Sequence, residues 1–313
     1  MSKSFIPPLP LKNGVAPSRV WLESGPWTTL GEFLQQRFPH VSPQVLAQRL
    51  QRGDIVDSQG ATQHAHTPYR PEQWLWYYRL VEDEVPVPFE MPILHVDERL
   101  IVVDKPHFLA TIPTGDYLTQ TALVRVRAQF NNAEITPLHR LDRDTAGVLV
   151  FCVQPQYRGA YQSLFQSRAV EKTYEAIAPT YVGPDTLPSY RRSHIAALGE
   201  GEFMMQEWPD REPNSETHIE ELSRWSATGY DQGLSHYTLQ PVTGRKHQLR
   251  VHLAAMGCPI VNDVFYPVWD KSRAANDFSR PLQLLARSLA FLDPIDGHYR
   301  EFVSQQRLGL LAP

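Results

Sequence analysis

From residue 86 onward the chain is written in short apolar runs separated by turns: "LIVVDKP" at 100–106, "GVLVFCV" at 147–153, "TYEAIAP" at 173–179, "LSHYTLQPVTG" at 234–244 and "SLAFLDPIDG" at 288–297. Runs of this length, bounded by proline, glycine or aspartate, predict strands. Between them, apolar residues recur at helical spacing over 119–130, 155–167 and 246–256. Strands outnumber helices and several are spaced as hairpins. This predicts an α+β domain with a largely antiparallel or mixed sheet. The stretch 199–216 is polar and contains proline, and it reads as a long loop.

The earlier part of the chain has a different texture. Residues 1–25 are proline-rich and aperiodic and read as an extended arm. Leu30, Phe33, Leu34 and Phe38 fall at helical spacing, as do Val45, Leu46 and Leu50 after the break at "PHVSP". The stretch "RGDIVDSQG" then predicts a short strand and turn. Three parts result: an arm over 1–25, a small unit over 26–85 and a larger domain over 86–313. With Arg49, Arg52 and His64 nearby, the small unit fits a compact RNA-binding module. Its periodicity fits a small packing domain equally well.

At 313 residues, 42% hydrophobic and 20% charged, the chain can bury a sizeable core and has the make-up of an ordinary soluble protein. No apolar stretch is long enough for a bilayer, and the N-terminus lacks a signal-peptide core, so a cytoplasmic protein without membrane contact is expected. Cys152 and Cys258 have apolar neighbours and no CxxC partner, and read as buried, inert thiols. The net charge of −4 argues mildly against a nucleic-acid partner. However, acidic residues gather in "EDEVPVPFE" and "GEGEFMMQEWPDREPNSETHIEE", whereas cations gather near 139–143, 190–194 and 245–252. A field is local, so the mean decides little.

The chain has no Walker-type loop, no GxGxxG after a strand, no HExxH and no GxSxG elbow. "HAH" at 64–66 lies in a polar loop, and His247 and His252 fall on different faces of a helix, so no metal is expected. Two charged clusters remain. The first is "PLHRLDRDTAGVLVF" at 137–151, with two arginines and two aspartates at the mouth of a buried strand. The second is "PVTGRKHQLRVHLAAMGCPI" at 241–260, where a strand ends and a helix begins. Leu249, Leu253 and Met256 share one face of that helix, which leaves His247 and Arg250 together on an adjacent one. Thr243, Gly244 and Arg245 form the turn before it, and such a helix start is suited to a phosphate. Asp142 can act as a nucleophile or base without a cofactor if a fixed cation such as Arg250 holds it ionised. Alternatively, Arg140, Asp142, Arg143 and Asp144 form a surface ion-pair turn of little energetic weight, and pattern alone favours that reading.

The same residues resemble a known family. "HRLDRDTAGVLVF" closely resembles the central motif of the RluA-type pseudouridine synthases, of general form HRLDxxTSGLLLF. "LIVVDKPHFLATIP" is similar to the family's opening strand and lysine-proline turn, and "AVEKTYEAI" to its segment with a lysine and a tyrosine two apart. "PVTGRKHQLRVHLAAMGCPIVNDVFY" resembles its third motif and "LLARSLAFLDPIDG" its closing strand. The motifs occur in family order over residues 94–303. Residues 26–82 are also similar, more weakly, to the small αL RNA-binding module often fused ahead of such synthases, although "WLWYYR" at 74–79 is more aromatic than that module.

The resemblance implies a bent mixed or antiparallel sheet flanked by helices, and isomerisation of uridine to pseudouridine in structured RNA. Asp142 matches the family's nucleophile, Tyr174 the tyrosine that stacks on the base, and Arg250 the basic partner of the aspartate. Arg140 matches the arginine that holds the nucleotide out of its helix, a step that costs a few kcal/mol. His139, Leu141, Thr243, Gly244, Arg245, His247 and Gln248 lie in the matched motifs and are expected to contact substrate. No cofactor or metal is implied. The expected partner is RNA, ribosomal before transfer RNA, and the expected state is a monomer.

Arg143, Ala146 in place of serine, "VND" at 261–263 in place of glycine-aspartate, and the acidic 199–216 stretch depart from the pattern and bear on target choice. Read alone, Tyr174 is a core strand residue and His139 closes a turn. Arg191, Arg192 and Arg287 are either RNA contacts or solvated cations. Two rivals stand beside the synthase: a non-catalytic RNA-binding protein on the same fold, and a glycosidase or phosphatase using Asp142 and Asp144 on one strand face.

Overall fold

The computed structural model describes residues 7–79, 84–199 and 201–311. Residues 1–6 of the expected arm, 80–83 near the expected boundary and Glu200 of the expected loop lie outside these. The chain forms two compact units. One comprises Met1–Glu84, Thr114–Thr119 and Val124–Ala133, and the other Val85–Pro113, Gln120–Leu123 and Glu134–Pro313. Segments 114–119 and 124–133, which the sequence assigns to the larger domain, thus belong to the smaller unit. Val124 and Leu118 pack there with Val15.

The smaller unit contains β1 (Ser18–Trp21), α1 (Leu30–Arg37), α2 (Pro43–Arg52), β2 (Ile55–Asp57) and β3 (Trp74–Tyr77). A capping box between Thr29 and Glu32 starts α1, and Ser42 with Pro43 starts α2, which ends at Gly53 in the left-handed region. Leu30, Phe33, Leu34, Leu46 and Leu50 are buried together with Val20, Leu22 and Leu75. Residues 18–21 are therefore not part of an arm. They form an edge strand of the sheet β1-β3-β2, because Val20 and Leu22 supply apolar surface to that core.

The larger unit begins with β4 (Ile93–Val96) and β5 (Leu100–Lys105). The helix α3 (Ala122–Phe130) follows, its first two residues in this unit. Next come β6 (Thr136–Pro137), β7 (Ala146–Cys152), α4 (Pro155–Gln166) and β8 (Glu171–Pro179). β9 (Tyr190–Ser193), β10 (Ile195–Ala197), β11 (Met205–Glu207), β12 (Ser215–Ala227) and β13 (Tyr230–Pro241) lead to α5 (Gln248–Ala255). β14 (Leu284–Leu292) and β15 (Tyr299–Val303) close the unit. Ten strands form one sheet in the order β4-β5-β7-β14-β8-β13-β12-β9, with β15 on β14 and β6 on β7. Its ladders are antiparallel except for β7 with β14.

The burial pattern explains the order. Every residue of β5 and β7 is buried, as their unbroken apolar runs require of strands covered on both faces. β12 alternates buried and exposed positions over its first half and has one wet face. Leu249 and Leu253 of α5 pack with Ala176, Tyr237 and Leu239 of β8 and β13, which fixes that helix on the sheet. The 199–216 stretch is not a long loop: β11 pairs with β10 as a short hairpin. No helix among the described residues is long and apolar enough to cross a membrane.

The three arginines left open between RNA contact and solvent each have a carboxylate partner. Arg287 forms a bidentate pair with Glu175 at 2.7 and 2.8 Å and donates to the carbonyls of Ser304 and Gln306. Arg191 pairs with Glu207, and Arg192 with Glu216 at 3.2 Å. Both cysteines are buried, and burial pushes the Cys258 thiol up to about 11.

The parallel contact of β7 with β14 tests this packing. Gly147 pairs with Ala286 and has φ +112°, and a Cβ there would lie 2.2 Å from the Ala286 carbonyl oxygen. Gly147→Ala is expected to cost about 3 kcal/mol or more through strain and overpacking. Thermal unfolding of the two proteins measures it. A midpoint unchanged in the variant contradicts the close approach.

Candidate active site

The loop from Leu138 to Thr145 joins β6 to β7, and it is held from behind. The Thr111 hydroxyl donates to the Leu141 carbonyl at 2.7 Å, and the Leu141 amide donates back at 3.1 Å. Lys105, fully buried at the end of β5, donates to the carbonyls of Pro106, Leu109 and Arg143 at 3.0, 2.7 and 3.1 Å. Its pKa is pushed down to about 7 by burial, against the opposing pull of Asp144 and Asp142. His107 Nδ1–H donates to the Asp144 carbonyl at 2.7 Å. With the backbone anchored, the side chains from His139 to Asp142 line the cavity while that of Asp144 is buried.

The four charges accordingly separate into two sets. Arg143 pairs with the buried Asp144 at 2.8 Å, so these two close the turn. Asp142 faces the other way, with Arg250 Nη1 at 3.5 Å from its Oδ2. Asp142 and Asp144 lie in a turn, not on a strand. Asp144 is committed to Arg143 and only Asp142 lines the cavity, so the two are not presented together to a substrate as a paired-carboxylate hydrolase requires.

Arg250, on α5, is the most constrained member of the site. Its side chain is 2% exposed and that of Asp263 is fully buried. Nε and Nη2 donate to the two oxygens of Asp263 at 2.7 and 2.6 Å, a bidentate geometry that leaves Nη1 for Asp142. Asp263 Oδ1 also accepts from the amides of Phe265 and Tyr266. The rings of Phe265 and Tyr266 lie 5.0 and 5.5 Å from the guanidinium. Burial works against the Arg250 charge, but Asp263, Asp142 and Asp144 outweigh it and hold the group protonated. Asp263 is the partner that sequence reasoning missed; its signal was the "VND" departure, where Asn262 adopts φ +64°, tolerated by asparagine.

A cavity of about 580 Å³ opens above these residues, and all eleven side-chain positions expected to act on substrate line it. Tyr174 contributes its ring from β8. Burial, and next the Asp142 charge, raise the phenol and keep it protonated. Arg140 and Arg245 are exposed on the rim, and Arg245 Nε donates to the Asn214 carbonyl at 3.1 Å.

Three of the expected substrate contacts already have partners within the protein. Gln248 Oε1 accepts from the Arg245 amide and the Thr243 hydroxyl, while its Nε2 donates to the Glu216 carbonyl and Thr217. Thr243 and Gln248 therefore brace the turn, their polar atoms already partnered. His247 is buried, stacks on Phe265 with 8° between planes, and meets the Tyr266 hydroxyl at 2.8 Å through Nδ1. Burial pushes it down to about 4, so it is a neutral wall and not a cation. His139 is tied to β7: its Nε2 accepts from the Val150 amide at 3.2 Å, and burial and then Lys172 push it down to about 3.

Six cations line the cavity (Arg140, Arg168, Lys172, Arg245, Lys246 and Arg250) against one carboxylate, Asp142. A chain of net charge −4 thus presents a strongly cationic hollow. Among the described residues no group of three or more histidine, cysteine or acidic side chains could hold a metal ion.

Residues 99–255 match the family model described as RNA pseudouridylate synthase. The Dual-specificity RNA pseudouridine synthase RluA of Haemophilus influenzae is 30% identical over 71% of this chain and 96% of that protein. The tRNA pseudouridine synthase C of Vibrio parahaemolyticus is 31% identical over 66% of this chain and 87% of that one. Among solved structures, Human RNA Pseudouridylate Synthase Domain Containing 1 superposes with a TM-score of 0.54 at 25% identity, covering 69% of this chain and 84% of that one. On the match to the family model, these relatives and the shared fold, the chain belongs to the RluA-type RNA pseudouridine synthase family.

Proposed function

We propose that Asp142 is the nucleophile of this pseudouridine synthase, and that Tyr174 and Arg250 are its partners in the reaction. The observation that carries this is the placement of Asp142 at the cavity floor, 3.5 Å from a buried arginine whose other nitrogens are occupied by Asp263. The carboxylate needs no cofactor to attack an extruded uridine. The N1–C1′ bond breaks, the uracil turns in place, C5 bonds to C1′, and the C5 proton leaves as N1 gains one. Tyr174, held protonated, offers a flat ring to the base and a hydroxyl for proton transfer. Arg140, exposed at the rim, is suited to fill the space that the flipped nucleotide leaves.

Ribosomal RNA is the target we infer first, supported by the small unit ahead of the larger one. Transfer RNA is the second reading, supported by relatives named dual-specificity RNA and tRNA pseudouridine synthases. The test is tritium release from C5-labelled uridine in unmodified total RNA, comparing the wild type with Asp142→Asn. The proposal expects release by the wild type and at least about a thousandfold less by the variant, in keeping with loss of a nucleophile. Fractionating the RNA by size then reports the target. Comparable release by both proteins would sink the role of Asp142.

The buried neutral histidines give a second prediction. His107, His139, His247 and His252 have folded-state values of about 4, 3, 4 and 4. Their unfolded value is about 6.5. The unfolded chain therefore binds more protons below pH ~6.5, so the stability these groups contribute is complete above that pH and is lost toward pH 4. The thermal midpoint should fall between pH 6.5 and 5, above the carboxylate range, more steeply than between pH 8 and 7, where only the buried Lys105 contributes a slope. A level midpoint down to pH 5 contradicts their neutral burial.

A further inference from the structure

β8 carries Lys172 and Tyr174 two residues apart, so both side chains leave the same face of the strand and both line the cavity. Tyr174 sits beside Asp142; Lys172 sits at another part of the wall, near His139 and the end of α4. Phe165 stacks on His139 there, with centroids 5.1 Å apart and 18° between planes. Arg168 follows in the turn after α4, with φ +60°, and lines the same wall.

This wall has an unusual charge balance. Lys172 is half-buried, and burial and then the Arg168 charge both push its pKa down. Arg287, Arg191, Arg192, Arg143 and Arg250 have carboxylate partners at Glu175, Glu207, Glu216, Asp144 and Asp263, whereas Arg140 and Arg245 stand exposed on the rim. Among the described residues, neither the Lys172 nor the Arg168 side chain makes a hydrogen bond or ion pair. Holding two cations together, one of them half-buried, is unfavourable until an anion arrives. In a cavity that receives an RNA strand, that anion is a backbone phosphate.

We propose that Lys172 and Arg168 form a phosphate subsite for a nucleotide adjoining the target uridine, with Phe165 as its apolar wall. The inference rests on the synthase reading for its ligand, but not on the chemistry at Asp142. In this arrangement the strand enters past α4, one linkage is clamped by the two cations, and the next nucleotide is delivered to Tyr174 and Asp142. Lys172 is then a binding residue that holds the strand beside the catalytic site.

The experiment is filter binding of unmodified transfer RNA and ribosomal RNA transcripts over a salt series, using wild type, Lys172→Gln, Lys172→Arg and Arg168→Gln. Each glutamine variant should weaken binding by about tenfold, the loss of one charge-assisted contact. Each should also lower the slope of log affinity against log salt by about 0.7, one single-strand phosphate. Lys172→Arg should keep the slope, which separates charge from packing. In turnover, Lys172→Gln should raise KM with kcat within about twofold. Slopes equal to wild type in both glutamine variants would overturn the subsite, as would a kcat loss with KM unchanged. RNA bound with a Lys172-dependent slope, but without tritium release, would keep the subsite and sink the synthase chemistry.

Discussion

The site depends on one buried ion pair. Arg250 and Asp263 are both withdrawn from water, and such a pair is tolerable when its geometry is good and further hydrogen bonds support it. Here two nitrogens meet two oxygens, and Asp263 Oδ1 also accepts two backbone amides. The fork is rigid, so the third nitrogen points where the first two leave it, at Asp142. The same loop sends the Tyr266 hydroxyl to His247 at the start of α5. One pair therefore sets the loop 262–266, the helix start and the orientation of the cation facing the carboxylate.

The opposite wall is built from the backbone. Lys105, His107 and Thr111 hold three carbonyls of the loop that carries Asp142. A lysine sealed under a loop, its ammonium spent on carbonyl oxygens, leaves the aspartate side chain without a competing cation from below. The two aspartates of the motif consequently have separate tasks. Asp144 neutralises Arg143 and closes the turn, and Asp142 is presented to the cavity. Charges at the mouth of a buried strand are compatible with stability because half of them are paired internally.

Much of this was legible in the sequence because burial on both faces leaves a plain signature. The unbroken runs of β5 and β7, and the face of α5 with Leu249 and Leu253, could be read directly. β1 could not, since four residues inside a proline-rich stretch show no periodicity, and its partner β3 lies more than fifty residues away. The β10–β11 hairpin escaped notice because three-residue, half-buried strands look like polar loop. In the site, Asp142, Tyr174 and Arg250 could be placed by motif, but side-chain consumption could not. Whether Gln248 meets substrate or braces a turn is decided by Glu216 and Thr217 on β12, and whether Arg250 is fixed is decided by Asp263. Both answers lie in tertiary contacts that no local pattern encodes.

The most direct measurement of the central claim is a double-mutant cycle on Arg250 and Asp263, read in kcat/KM for tritium release. Asp263→Asn removes the charge that clamps the guanidinium, and Arg250→Lys removes the fork itself. If Asp263 acts through Arg250, the double variant should be no slower than Arg250→Lys alone, with a coupling of about 1–3 kcal/mol between the two changes. Losses that simply add would mean that Asp263 serves some other part of the fold and that Arg250 is aimed at Asp142 without it.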